Sequence, residues 1–236
     1  MTMLEHRPTK VHWVRETRFG RWFLTTNTWF RYVLSVAVVD FKTMLRNRVS
    51  TQKKILDAGC GGGLAFSLLE LHFQPKTIIG VDIDQAQISL AKEYAKKCSC
   101  KVELVSGTVA DLEFANDSID VIFCHQVIHH VAHQTEVLRE FYRILAPGGV
   151  ILLGESCKSF VNSFLVRLLF RHPMQQHKSA EEYVELVKSV GFKVSENDIQ
   201  TSVPWWSRAD FGITGKLGLP QRNKDATEVL IVATKP

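Results

Sequence analysis

Lys53-Lys54-Ile55-Leu56-Asp57-Ala58-Gly59-Cys60-Gly61-Gly62-Gly63, running on into Leu64-Ala65-Phe66-Ser67-Leu68-Leu69, is the stretch from which the fold is read. Residues 53–58 have the short apolar run of a buried strand, the glycines form a turn, and Leu64 opens a helix. A backbone that turns while approaching a ligand closely needs positions without a Cβ, which Gly59, Gly61 and Gly63 supply. The helix that follows points free N–H groups and its positive dipole end into the same space, where an anionic group is favoured. A dinucleotide loop would carry G-x-G-x-x-G, and the third glycine of that pattern falls on Leu64. The pattern present is D-x-G-x-G-x-G, over residues 57–63.

Strand and helix patterns alternate beyond that turn. Thr77-Ile78-Ile79-Gly80-Val81-Asp82 predicts a second buried strand, and Asp84 with Gln87 three residues on predicts a boxed helix start. Residues 101–105 and 119–124 predict two more strands. A helix over 135–145 stops at Ala146-Pro147-Gly148-Gly149, and a strand over 150–154 follows. Ser179 and Glu182 open a further helix that Gly191 closes, and 192–194 and 228–233 predict the last two strands. The expected fold is α/β: a Rossmann-like, doubly wound, mostly parallel seven-stranded sheet with helices on both faces. Right-handed crossovers place its crevice at the carboxyl ends of the strands.

The flanks are decorations on that core. Residues 1–21 are polar and basic without a period, which predicts a mobile or late-docking arm. From Asn27 or Thr28 a helix is expected, with Phe30, Val33, Leu34, Ala37, Val38, Phe41, Met44 and Leu45 on one face. It packs on the core, closes a pocket, or, given Trp22, Trp29, Arg21 and Arg31 around it, touches a membrane surface. Residues 1–50 are thus expected to form an N-terminal arm and helix, and 51–236 the main domain, with lid insertions near 156–178 and 200–225.

The length of 236 residues and 45% hydrophobic content suit one domain with a real core. The net charge of +5 is spread along the chain, which permits an acidic partner but gives no strong nucleic-acid signal. Cysteines 60, 98, 100, 124 and 157 show neither a disulfide framework nor paired metal spacing, and the N-terminus has no signal-peptide core; a cytoplasmic location is expected. The apolar runs near 32–41 and 150–153 are too short to cross a bilayer.

The glycine motif resembles motif I of the class I S-adenosylmethionine (SAM) dependent methyltransferases. The resemblance runs through Asp82 at the end of the second strand, the 107–120 segment Gly107-Thr108-Val109-Ala110-Asp111-Leu112-Glu113-Phe114…Asp117-Ser118-Ile119-Asp120, and Pro147-Gly148-Gly149. It points to the small-molecule (type 11, UbiE-like) branch. The resemblance implies SAM as cofactor, with S-adenosyl-L-homocysteine as product. It implies cofactor contacts at Asp57, Gly59, Cys60, Gly61, Gly63, Asp82, Ile83, Thr108, Val109 and the backbone of His125. Asp82 would take the ribose hydroxyls, since a carboxylate accepts from two donors. Thr108 stands where the family often has an acidic residue beside the adenine amino group, so either its oxygen accepts that bond or Val109 offers a wall.

His125-Gln126-Val127-Ile128-His129-His130 follows the fourth strand and opens onto the crevice. It resembles the V-L-H-H segment of small-molecule O- and C-methyltransferases, in some of which a His of this pair and an acid ending the fifth strand assist deprotonation. His129, His130 and Glu155 are the corresponding catalytic candidates, with packing or capping as the alternative role. His125, His129 and His133 are four apart, but His125 belongs to the strand end, so no metal site is expected. Acceptor specificity is expected in the decorations, with Phe164, Leu168, Trp205 and Trp206 as walls and Arg167, Arg171 or Arg208 fixing an anionic group. The partner expected is a small, lipophilic or aromatic acceptor. The alternatives are an RNA or protein substrate, or a non-catalytic SAM-binding subunit. The sequence leaves the oligomeric state open.

Overall fold

The computed structural model describes residues 16–46, 48, 53–171, 177–204, 207 and 225–236. Three helical pieces lead in: α1 (Arg18–Phe23), α2 (Asn27–Trp29) and, after a π-helical turn at Phe30–Leu34, α3 (Ser35–Leu45). The alternating core follows as β1 (Lys54–Ala58), α4 (Phe66–Phe73), β2 (Thr77–Asp82), α5 (Gln85–Ala95), β3 (Lys101–Ser106) and β4 (Ile119–His125). A 3₁₀ turn at Ile128–His130 leads to α6 (Gln134–Ile144) and β5 (Leu145–Ser156). The short α7 (Lys158–Val161) and α8 (Phe164–Leu169), then α9 (Ala180–Ser189), β6 (Ile199–Ser202) and β7 (Glu228–Thr234), complete the described chain.

The sheet has seven strands in the order β3-β2-β1-β4-β5-β7-β6. β1 pairs in parallel with both β2 and β4, and β7 runs antiparallel to β5 and β6. The order reverses between β1 and β4, so the chain leaves those two strands in opposite directions and opens a crevice at their carboxyl ends. β1 is buried on both faces because it is the centre of a doubly wound sheet, which is why Ile55, Leu56 and Ala58 are apolar around the single acid Asp57.

Two cores lie on the two faces of the sheet. One joins Leu56, Ile122 and Ile151 to α6 and α9 through Phe141, Ile144, Tyr183 and Val187. The other joins Ile55, Val121 and Leu152 to α3, α4 and α5 through Phe41, Phe66, Leu69 and Ile88. The N-terminal helix is therefore part of the core: Phe41 is fully buried, and its ring meets that of Phe123 edge-on at 6.1 Å. The arm expected over 1–21 docks where it is described, since α1 lies against α8 through the bond from Thr17 Oγ1 to the Leu169 carbonyl, 2.6 Å.

The last edge strand is not the one anticipated. Residues 192–194 supply only an isolated bridge, Lys193 to Thr234, whereas β6 lies seven residues later with Gln200, Thr201 and Ser202 partly exposed. The chain detours because Ser195 and Asp198 form a reciprocal capping turn and Asp198 pairs with Arg48. A polar edge strand carries too weak an alternation to be seen in the sequence.

Truncating Phe41 should show whether α3 belongs to the core: Phe41→Ala is expected to lower unfolding free energy by about 3–5 kcal/mol in urea titrations. Val39→Ala, on the exposed face of the same helix, should shift it by about 0.5 kcal/mol or less.

Candidate active site

The glycine turn is tied to β2 by its backbone. Gly59 and Cys60 both donate to the Val81 carbonyl, at 2.8 and 2.9 Å. Gly61 N–H donates to Asp82 Oδ2 at 2.9 Å, while Asp84 N–H donates to Asp82 Oδ1 at 2.8 Å. Two of the glycines are required by crowding: a Cβ on Gly59 would lie 2.4 Å from Val127, and one on Gly63 2.6 Å from Phe66 and 3.1 Å from the Ala91 backbone. Both also have positive φ, +76° and +83°. Gly61, by contrast, faces the crevice, where the nearest atom to its absent Cβ is the Gln87 amide oxygen at 3.9 Å. Asp84 caps α5 by accepting from Ala86 N–H at 3.0 Å, but Gln87 lines the crevice in place of closing the expected box.

The crevice is a cavity of about 510 Å³ at the carboxyl ends of β1, β2 and β4. At one end stand Asp82, Ile83, Thr108 and Val109; beside them lie Asp57 and the bare glycine backbone; at the other end are His125, Gln126 and His130. Asp57 is 3% exposed, and its Oδ2 has no hydrogen-bond partner among the described residues. Burial, helped by the negative charge of Asp82, pushes the Asp57 carboxyl up to about 8. Burial also raises the Asp82 carboxyl, against the opposing pull of the Asp84 and Gly61 N–H groups. Burial likewise raises the Cys60 thiol, so this side chain is packing and not a nucleophile. An unpartnered buried carboxylate oxygen calls for a cation or donor, and the Asp82 oxygens each keep a lone pair for a hydroxyl. An amino-acid-bearing nucleoside fits this donor and acceptor set, with its ammonium at Asp57 and its diol at Asp82.

The three catalytic candidates separate. Glu155 is fully buried and accepts from the backbone N–H groups of Val127 at 3.0 Å, Ile128 at 2.7 Å and His129 at 3.4 Å. Oε1 takes the first two, and Oε2, which takes the third, also meets His129 Nδ1 at 2.5 Å. Glu155 and His129 are both buried and stand behind the residues that line the cavity, where they brace the turn after β4. The cause is local. β4 ends in a turn with Gln126 at φ +60°, which aims three successive N–H groups at one carboxylate. His130 does face the cavity, and Glu16 Oε1 stands 3.6 Å from its Nε2. Glu16 was missed because it sits in a stretch without period, and its only signal is being an acid among arginines.

His125 is a wall, with its ring stacked on Phe123 at 5.9 Å and tilted against Trp29 at 5.9 Å. Burial pushes its imidazole down to about 3, so the ring is neutral at ordinary pH, with Nε2 bonded to no described residue. Among the described residues no group of three His, Cys, Asp or Glu is placed to hold a metal ion.

The N-terminal helices roof the cavity. Arg21, Leu24, Thr25, Trp29 and Leu34 line it, and Glu16 reaches in from the start of α1. The roof is fastened to the other insertion where Arg171 N–H donates to Glu16 Oε2 at 3.2 Å and Phe170 packs edge-on against Phe19 and Phe23. Phe164 and Leu168 do not wall the cavity as expected; they are 83% and 66% exposed on the outside of α8. Trp205, Trp206 and Arg208 lie outside the described residues.

Residues 56–153 match the family described as "Methyltransferase domain". The chain is 34% identical over 108 residues to phosphoethanolamine N-methyltransferase 3 of Arabidopsis thaliana, covering 45% of this chain and 22% of that protein. It is 32% identical over 103 residues to the ubiquinone biosynthesis O-methyltransferase of Pseudomonas savastanoi pv. phaseolicola, covering 43% and 44%. The chain thus spans less than half the length of these curated relatives. Among solved structures, the methyltransferase in complex with the Haloferax volcanii Trm112 activator is 20% identical and superposes with a TM-score of 0.69, over 92% of this chain and 93% of that one. The geranyl diphosphate C-methyltransferase of Streptomyces coelicolor A3(2), solved with S-adenosyl-L-homocysteine, is 17% identical with a TM-score of 0.66, over 86% and 79%. At such identities the structures establish the fold.

The Asp57 carboxyl predicts a pH signature of the ligand-free protein. Folding raises it from 3.8 to about 8, so the folded state holds a proton that the unfolded state releases. That contribution to stability is complete below the unfolded value and is lost as pH rises through the folded one. Unfolding midpoints should therefore carry a falling component between about pH 4 and pH 8, and Asp57→Asn should remove it.

Proposed function

We propose, from the match of residues 56–153 to a methyltransferase-domain family, that the protein transfers the sulfonium methyl of SAM to an oxygen, nitrogen or carbon nucleophile of a small, lipophilic or aromatic acceptor. The observation that carries this reading is the division of one cavity into two chemistries. Asp57 and Asp82 stand either side of bare glycine backbone at one end, and an apolar, histidine-bearing end lies under a docked roof.

In this reading Asp57 holds the amino group of the cofactor and Asp82 its ribose hydroxyls, with Ile83, Thr108 and Val109 around the adenine. When bound, SAM supplies a methyl already activated on sulfur, so the protein's tasks are alignment, exclusion of water and removal of any proton the nucleophile carries. His130 accepts that proton, and Glu16 stabilises the imidazolium that forms. His129 and Glu155 position the loop that carries His130. The pairing needs the roof closed, because Glu16 belongs to the start of α1. Relatives named for phosphoethanolamine and for ubiquinone biosynthesis support a small acceptor. The second reading is methyl transfer to RNA or protein, since the fold is shared with a methyltransferase that is solved in complex with a second protein, the Trm112 activator.

Radiolabelled SAM offered to fractionated metabolites, RNA and protein separates the two: label is expected in the small-molecule fraction, and label confined to RNA or protein would overturn the proposal. Asp82→Ala should weaken SAM about 10- to 100-fold by calorimetry, from loss of one or two hydrogen bonds to a charged acceptor. His130→Ala should lower kcat about 10²- to 10⁴-fold with SAM affinity nearly unchanged. A His130→Ala enzyme of normal rate would return the base to another group.

A further inference from the structure

The outer surface of the roof is apolar and basic at once. Phe164, Leu168, Trp22 and Phe19 are 83%, 66%, 60% and 39% exposed. Phe164 and Leu168 are four apart and share one face of α8, while Phe19 and Trp22 are three apart on α1 with ring centroids 5.5 Å apart. The two helices are bound side by side by the Thr17–Leu169 hydrogen bond and the Phe19–Phe170 contact at 5.8 Å. Phe19 and Leu168 line a shared groove with Arg18, Arg21 and Arg171, so these side chains form one patch. Over residues 16–34 and 156–171 the basic residues are Arg18, Arg21, Arg31, Lys158, Arg167 and Arg171, and the only acid is Glu16, half-buried between the outer groove and the cavity.

We propose that this face docks peripherally on an anionic lipid surface, with Phe19, Trp22, Phe164 and Leu168 entering the headgroup–acyl boundary and Arg18, Arg167 and Arg171 meeting lipid phosphates. Aromatic and leucine side chains this exposed mark an interaction site. Arginines among them can lay their stems on the apolar layer while their heads reach the phosphates. A protein partner would have to place an acceptor opposite each guanidinium, whereas a fluid headgroup layer adapts to all of them. The contact is with the surface alone, since no described helix is long and apolar enough to cross a membrane. Glu16 and Arg21 line both the outer groove and the inner cavity, so docking would set the cavity mouth against the lipid. The inference stands on the surface of α1 and α8 and does not require the methyl-transfer reading.

The test is sedimentation of the full chain with phosphatidylcholine vesicles and with vesicles that also contain phosphatidylglycerol. Binding is expected to the second, weakened by salt, with tryptophan emission quenched by bromine-labelled lipid in the parent chain and much less in Trp22→Phe. Arg18→Ala with Arg167→Ala should weaken binding about thirty-fold, at about one kcal/mol for each arginine near a charged bilayer. Lys188→Ala with Lys193→Ala removes the same charge from exposed positions off the roof and should leave binding within a factor of about two. Circular dichroism and thermal unfolding midpoints, unchanged in all variants, report that they fold. Equal losses in both double variants, equal binding to neutral vesicles, or capture of poly-glutamate with the vesicles ignored would each overturn the proposal.

Discussion

The hydrogen bond from Gly61 N–H to the Asp82 carboxylate holds together the parts of this site that come from different strands. β1 and β2 are neighbours in the sheet, but of the glycine turn after β1 only Cys60 has a side chain to pack. Backbone donors fix the rest: two to the Val81 carbonyl and one to Asp82. The same carboxylate accepts from Asp84, the residue that caps α5, so one side chain fixes the loop, the strand end and the start of the next helix. A bare loop can therefore stay open to a ligand without losing its shape.

Much of this was legible because β1, β2 and β4 are buried on both faces and α6 and α9 are amphipathic, which are strong periodic signals. The glycine spacing and Asp82 at a strand end were legible for a related reason: a close turn and a strand terminus constrain residue type from the backbone. What escaped notice was decided by tertiary contact. Nothing local to Glu155 says that three N–H groups from a turn nearly thirty residues earlier will converge on it. Glu16 belongs to the site only because α1 is docked through Thr17 and Arg171. Edge strand β6 escaped because one of its sides lacks a neighbour and so lacks an apolar demand.

The paired histidines illustrate how adjacency in sequence divides roles in space. Their rings are 4.2 Å apart, yet His129 points down to a buried carboxylate and His130 up into the cavity. The lower one needs a fixed acceptor because its environment excludes water, and the upper one gains a rigid platform from that arrangement. A buried acid that braces a loop and a cavity-facing histidine carried on that loop are thus two halves of one support.

The π-helical turn ahead of α3 has a separate meaning. There the Ser35 N–H and its hydroxyl both return to the Phe30 carbonyl, which accommodates one residue more than an α-helix would. Excising a single residue from this turn would swing everything upstream by about 100°, carrying the Trp29 indole off His125 while Phe41 kept its seat. The bulge thus works as a phase adjuster between a fixed foundation and an adaptable canopy, through which insertions and deletions can retailor the ceiling of the chamber without disturbing the masonry below.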